Sequence, residues 1–454
     1  MVNELKRFTK REKLMSKFKK GCLWGAASTT TLLCALATTG TANASGFQLR
    51  ETSGTLQGSS FAGMSTLTSD ASTMVNNPGS VGQYQETSYS VGGTLIMPVA
   101  KATNIEASGT GVTASKSFSN ASSYKDMAQD AFVPNAHAVF KLTDQLNLGI
   151  SITSPWGLVT DYEPDFAGRF HGTTSSIKSI NIKPVLAYRF DNGLSFGAGP
   201  QIQQLDAALS RSVPELVATT NEGNSEVSGD DIGYGWQAGI NWEVINGTRI
   251  GIAYNSEVRH NLEGKVDFDS AAENLPNTPY TDQTASATVI TPESFMFGIS
   301  QDVGEKLTIM ADAQWTNWNS IDTLTFNFGG DTNAANPGIQ DSSSEAYQWG
   351  SSWFGALGAR YQYDENWTFT GGLAADETPI KTKYRNVRLP DSNRYWISLG
   401  TSYNVADWAA ISFGYTHVFA DTARVDLKDD NLGNFAADYD AHIDIIALQA
   451  KFQF

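Results

Sequence analysis

Apolar residues alternate with small or polar ones along most of the chain beyond residue 86. Tyr395, Ile397, Leu399, Thr401 and Tyr403 alternate with Trp396, Ser398, Gly400 and Ser402. Ile411, Phe413 and Tyr415 alternate with Ser412, Gly414 and Thr416, and Phe295, Phe297 and Ile299 with Met296, Gly298 and Ser300. A period of two marks a strand with unlike faces. Here one face is apolar with aromatic ends and the other is small or polar. Soluble sandwiches also alternate, but their outward faces carry more Lys and Glu. The pattern predicts about fourteen strands. They start near Thr87, Ala131, Leu146, Ile177, Gly193, Asp231, Gly247, Ile290, Glu305, Gly350, Asn366, Arg394, Asp407 and His442.

The predicted connections alternate in length. Short turns fall at sites such as Asp191-Asn192-Gly193, Asn246-Gly247 and Asp364-Glu365-Asn366. Long loops fill roughly 98–130, 157–176, 208–230, 258–289, 317–349, 377–393 and 420–441, so tight turns would lie at one rim and long loops at the other. The fold class is therefore all-β: a transmembrane antiparallel β-barrel of about 14 strands over residues 87–454. An even strand number puts both ends of the barrel on the periplasmic side. The last strand carries Ile446, Leu448, Ala450, Phe452 and Phe454 on one face. A terminal Phe454 on such a strand resembles the signal read by barrel assembly machinery.

The first 44 residues read as an export signal. Eight basic residues from Lys6 to Lys20 precede the apolar stretch Leu32–Ala37, and Ala42-Asn43-Ala44 offers a cleavage site between Ala44 and Ser45. Translation from Met1 or from Met15 would each preserve that signal. Both cysteines, Cys22 and Cys34, leave with it, so no disulfide is expected in the exported chain. Residues 45–86 lack strong alternation but carry Phe47, Leu49, Leu56, Phe61, Met64 and Leu67 together with the turn Asn77-Pro78-Gly79. Low charge and these apolar residues predict a hatch plugging the lumen.

Composition narrows the function. In 454 residues, 31 Lys and Arg face 47 Asp and Glu, which disfavours nucleic-acid binding. Aromatics at 11 % argue against disorder. No run of about eighteen apolar residues exists, which excludes a helical membrane bundle. Gly193-Leu194-Ser195-Phe196-Gly197 has the spacing of a nucleophile elbow but lies within an alternating strand, not at a strand-to-helix turn. The five histidines are scattered without metal spacing. No catalytic residue, metal or cofactor is expected.

Several segments together resemble the FadL-type family of outer-membrane transporters for long-chain fatty acids and other hydrophobic compounds. They are Gly46–Ser80, Phe132–Gly168, Asn181–Gly199, Asp364–Pro379 and Arg388–Tyr403. The resemblance implies a fourteen-stranded barrel with an N-terminal hatch. It implies passive uptake by loop capture, an internal binding site, and lateral exit through a gap where the third strand kinks. By resemblance, Phe47 lies beside the ligand, Asn77, Pro78 and Gly79 form the hatch turn, and Pro155, Trp156 and Gly157 form the kink. Gly79 stands where the family has Ala and is expected to loosen the turn. Arg211 and Asp376 correspond to polar positions of the ligand site. Apolar loop residues such as Phe166 and Phe170 would capture ligand. One departure is plain: no Lys or Arg lies between Lys306 and Arg360, where fatty-acid binders use a Lys, and Glu345 falls near that place. This leaves open a channel for neutral or aromatic hydrocarbons, or a general porin or adhesin barrel. Expected partners are a hydrophobic small molecule, outer-membrane lipid and lipopolysaccharide, and the assembly machinery. No nucleic acid is expected, and the barrel is read as a monomer in the outer membrane of a Gram-negative cell.

Overall fold

Alternation of lipid-facing and lumen-facing side chains bends the chain into fourteen antiparallel strands that close on themselves. The structure, a computed structural model, describes residues 46–114, 116, 118, 123–214, 222–273, 281–329 and 342–454. The signal segment and its cleavage site at Ala44 and Ser45 lie outside the described residues. In chain order the strands are β1 (Ser88–Ser108), β2 (Ser123–Asp126 with Ala131–Lys141), β3 (Leu146–Thr153 with Gly157–Asp161), β4 (Thr174–Arg189) and β5 (Leu194–Pro214). There follow β6 (Glu222–Ile245), β7 (Thr248–Asn255 with Val258–Phe268), β8 (Gln283–Thr291 with Ser294–Val303) and β9 (Leu307–Thr316 with Thr323–Phe328). The ring is completed by β10 (Ser342–Ala346 with Ser352–Gln362), β11 (Trp367–Asp376), β12 (Arg394–Ala406), β13 (Ala409–Ala420 with Ala423–Asp429) and β14 (Gly433–Gln453).

Closure runs through β1 and β14, paired from Ser88↔Gln453 to Ser108↔Asn434. The terminal Phe454 exchanges backbone hydrogen bonds with Thr87, at 2.9 and 3.0 Å. Its exposed ring joins Trp408 and Tyr89 in an aromatic belt at the periplasmic rim. Leu357, Leu373, Leu399 and Ile411 are exposed on the outer surface, as a lipid-facing wall requires.

Several strands run further outward than the sequence pattern predicts. β6 begins at Glu222, not near Asp231, β8 at Gln283, not near Ile290, and β14 at Gly433, not near His442. The reason is physical. The apolar outward stripe exists only where lipid touches the wall. Above it the ladder continues with polar outward residues such as Glu226, Asp230 and Glu263, which hide the alternation.

Residues 46–86 fill the ring and are largely buried. Short turns with side-chain caps organise them. Ser53 accepts from Leu56 N, Asp70 from Ser72 N, and Asn77 from Gly79 N, so each orphan amide of a turn start is satisfied locally. The Asn77 amide also donates to Ser65 O and Ile240 O, at 2.7 and 2.8 Å. A Cβ at Gly79 would sit 2.7 Å from the backbone of Asn241, so glycine here lets the turn press against β6. Ser195 donates to Gly79 O at 2.6 Å, which gives the serine of the elbow-like motif a docking role.

Candidate functional site

The wall is broken between β2 and β3. Their ladder ends at Ala136↔Ile152 and resumes only at the isolated bridge Ala128↔Thr160. Within β3, Thr153 faces Asn181 and Gly157 faces Lys178, so three residues, 154–156, stand against two on β4. The extra residue pushes the strand inward. Pro134 and Pro155 lie on the two separated edges, and neither has an N–H to give a ladder.

The freed edge of β3 is paired from inside. Gly157 N–H donates to Phe47 O and Leu49 N–H to Pro155 O, both at 2.8 Å, and Gln48 bridges Trp156. The start of the hatch thus serves as a short substitute strand where β2 is missing. Ser179 fixes the kink from β4, accepting from Trp156 N and donating to Trp156 O.

Phe47 is held in an aromatic cage. Its ring centroid lies 5.0 Å from Trp318, 5.7 Å from Trp156 and 5.8 Å from Trp349. Trp318 and Trp349 come from inward excursions that interrupt β9 and β10. Gly46 has a φ of +56°, and a Cβ there would meet the Trp318 ring at 2.9 Å. Only glycine lets the backbone turn past that indole. The Gly46 amide donates to Asp391 at 3.2 Å, and burial pushes that loop carboxyl above its ordinary range.

Above Phe47 lies an apolar cavity of about 110 Å³. Leu158, Ile177, Leu205, Leu262, Leu324 and Leu389 line it, with Tyr347 and Trp349 to one side. Arg388 stands at its boundary with an outer cavity of about 570 Å³ and lines both. The Arg388 guanidinium donates to Ser210 O at 3.0 Å and to Thr174 O at 3.3 Å, and pairs with Glu345 at 3.4 Å. Asn386 donates to the other Glu345 oxygen at 2.8 Å.

The residues expected from sequence divide into groups. Phe47, Pro155, Trp156 and Gly157 meet at the gap. Asn77, Pro78 and Gly79 lie against β5 and β6. Arg211 lines the outer cavity with His171, Lys383 and Arg388. Asp376, at the end of β11, is 2 % exposed and pairs with Arg50 of the hatch at 3.4 Å. Arg211 and Asp376 therefore do not converge, because the hatch cation takes the Asp376 carboxylate. Phe166 and Phe170, read as exposed capture residues, are each 1 % exposed, because Phe166 stacks on Tyr162 and Phe170 packs against Arg169. Sequence reasoning missed Arg388, although it heads one of the segments that carry the resemblance. Its partner Glu345 supplies the reason: the cation absent from the loop between β9 and β10 enters from the loop before β12.

A closed outer-membrane barrel with a plugged lumen, an apolar cavity and a broken wall defines a channel for hydrophobic compounds. The chain belongs to the outer membrane protein transport protein family (OMPP1/FadL/TodX), whose model matches residues 35–454. It is 28 % identical over 416 residues to the long-chain fatty acid transport protein of Escherichia coli K12, covering 84 % of this chain and 89 % of that one. Its fold is similar to the crystal structure of a Pseudomonas aeruginosa FadL homologue, with a TM-score of 0.79, 22 % identity and coverage of 90 % and 99 %. It is also similar to the crystal structure of the Ralstonia pickettii toluene transporter TbuX, with a TM-score of 0.64, 19 % identity and coverage of 88 % and 98 %. The chain is an outer-membrane transporter of hydrophobic compounds, and its family is one of transport proteins rather than enzymes.

Proposed function

We propose that this protein passes long-chain fatty acids inward without an energy source and releases them sideways into the membrane. The observation that carries this reading is the double role of Phe47–Leu49. The segment caps the apolar cavity with a ring and seals the gap between β2 and β3 with its backbone. A ligand that displaces the ring from its cage also removes the backbone partner of Gly157. Occupying the cavity and opening the wall are then one event.

Arg388 is the anchor for the carboxylate. A guanidinium binds a carboxylate through two parallel hydrogen bonds, and in an apolar cavity such a pair is stronger than in water. The incoming carboxylate takes the place of Glu345, whose side chain is partly exposed and would give up its bonds to Arg388 and Asn386. The alkyl tail then points along Leu158 and Ile177 toward Phe47.

The test is binding of oleate and oleyl alcohol, side by side, to the purified protein in detergent. The two share a tail and differ at the head. Oleate is expected to bind at least tenfold more tightly, and Arg388→Gln to abolish the difference while leaving oleyl alcohol unchanged. Equal binding of both ligands to the unaltered protein would assign it instead to neutral hydrocarbons.

A further inference from the structure

The wall has a second interruption, between β8 and β9. Their ladder runs from Ala285↔Phe328 to Ala287↔Phe326 and resumes at Ser294↔Thr316. Between these points six residues of β8, 288–293, face nine of β9, 317–325. The surplus forms the turn Trp318–Ser320, which carries Trp318 inward to the Phe47 cage. Residues 288–290 keep their partners on β7, and residues 323–325 keep theirs on β10. Across the interruption the described hydrogen bonds are Ser320 Oγ to Ile290 O at 3.2 Å and, at its lower end, Asn317 N to Glu293 O and Asn317 Nδ2 to Glu293 Oε1, each at 3.0 Å. Residues 288–290 and 323–325 share none with each other among the described contacts. Three missing rungs make an opening roughly 10 Å tall.

Two observations show that this interruption is a passage and not merely a bulge. First, the apolar cavity is lined by the unbroken runs 285–290 and 320–324, which are the two edges of the interruption. On β4 and β5 the same cavity touches alternate residues, Ser175 and Ile177, then Leu205, Ala207 and Leu209; one short unbroken run, 227–229, lies on β6, and the two long ones reach residues 288–290 and 320–324 at the opening. Second, a comparable interruption between β6 and β7 is filled. There a Cβ at Gly233 would lie 2.6 Å from Val258, and one at Gly235 2.7 Å from Ser256. Beside the opening between β8 and β9, by contrast, Thr288 and Thr323 are both exposed among the described residues.

Its height on the barrel is defined by what lies below. The outward apolar stripe of β8 ends at Phe295 and that of β9 at Trp315. The next outward residues are Glu293 and Asn317, joined at 3.0 Å. Arg259, Asn261 and Asp322 surround the opening on the outside. The opening therefore sits just above the hydrocarbon, at the polar boundary of the outer leaflet. The gap at β3 lies lower, beside the exposed lipid-facing ring of Phe132.

We propose that this opening admits single-chain amphiphiles directly from the outer leaflet into the apolar cavity. An amphiphile resting there has its head at the level of Arg259 and Asp322 and its tail against the opening. The alternative path, through the outer cavity, takes an apolar tail past His171, Arg211, Lys383 and Asp429. The inference rests on the uptake reading above and adds its point of admission.

The test uses Thr288→Cys/Thr323→Cys in the full chain, joined across the opening by a short bifunctional thiosulfonate that reductant reverses. The only native cysteines lie in the first 44 residues. A matched control joins Val213→Cys to Phe268→Cys on the wall of the outer cavity. Uptake of radiolabelled oleate by cells is expected to fall at least tenfold when the first pair is joined, to recover on reduction, and to stay within twofold when the control pair is joined. Thr288→Trp, which fills the opening from an exposed position, is expected to slow uptake alike. Undiminished uptake with the first pair fully joined, or a block produced by the control pair alone, would overturn the proposal. Absence of oleate uptake by the unaltered protein would instead strike the uptake reading itself.

Discussion

Replacing Phe47 with Ala should unseat the hatch start from β3 while leaving the barrel closed. The ring is 3 % exposed and touches three indoles. Truncating a buried Phe costs about 3–5 kcal/mol, to which aromatic pairs contribute ~0.5–1.5 kcal/mol each. Residues 46–53 form no helix or long strand and can relax, so the lower figure, about 3 kcal/mol, applies. That is roughly a hundredfold in the docking equilibrium. The amide of Gly157 reports it directly, because its acceptor is Phe47 O. Hydrogen exchange on the purified protein in detergent should show Gly157 protection falling about a hundredfold. Amides of the β4–β5 ladder, from Ser175↔Leu209 to Arg189↔Ser195, should be unchanged. Unaltered Gly157 exchange in a folded variant would refute the idea that the cage holds the substitute strand. Equal loss across β4 and β5 would refute the separation of hatch docking from barrel stability.

Two further outcomes follow from the hatch. Glu51 is fully buried, and desolvation raises its carboxyl to about 7 despite the opposing influence of Arg50 and Arg394. A raised acid stabilises the docked state most below its free value of 4.5, and that stability is lost as pH climbs to about 7, by ~3 kcal/mol at most. Gly157 protection should therefore fall between pH 5 and pH 7.5 and become flat in Glu51→Gln; a flat profile in the unaltered protein would contradict this. Asp312 of β9 accepts from Gly63 N at 2.5 Å, from Ser65 N at 3.0 Å and from the Ser65 hydroxyl. Asp312→Ala strands two buried amides at about 1–3 kcal/mol each, so planar-bilayer conductance should rise toward that of a barrel lacking residues 46–86. Conductance equal to the unaltered protein would show that the hatch is held elsewhere.

The barrel was legible because lipid imposes one rule on every strand it touches. Where lipid ends, the rule ends, and the outward extensions of β6, β8 and β14 could not be read from apolar stripes. The kink was legible for two reasons: Pro155 disrupts pairing, and Trp156-Gly157 resembles the family's pattern. The cage was half legible. Phe47 and Trp156 were singled out, but Trp318 and Trp349 fell in a stretch read as loop. They point inward from excursions of six and five residues that obey no strand period. The guanidinium at the apolar cavity was not legible for a similar reason. Arg388 reaches the cavity from a loop, and only the contacts of Ser210, Thr174 and Glu345 fix where it points.

The proposed coupling of cavity to gap also sets a requirement on the ligand. Reversing a closed-to-open ratio of about 99:1 takes ~5.5 kcal/mol of differential binding. Burying a methylene contributes about 0.8 kcal/mol. Contacts made equally in both states contribute nothing to opening. The methylenes that matter are those occupying the space of the Phe47 ring, and roughly seven are needed. A short acid anchored at Arg388 fills the upper cavity and leaves the cage intact. A long one extends past Leu158 into the cage and removes the partner of Gly157. Octanoate should therefore bind without changing Gly157 exchange, whereas oleate should raise it sharply. Equal acceleration by both acids would mean that the wall opens in response to the carboxylate at Arg388, and that Phe47 does not sense the tail.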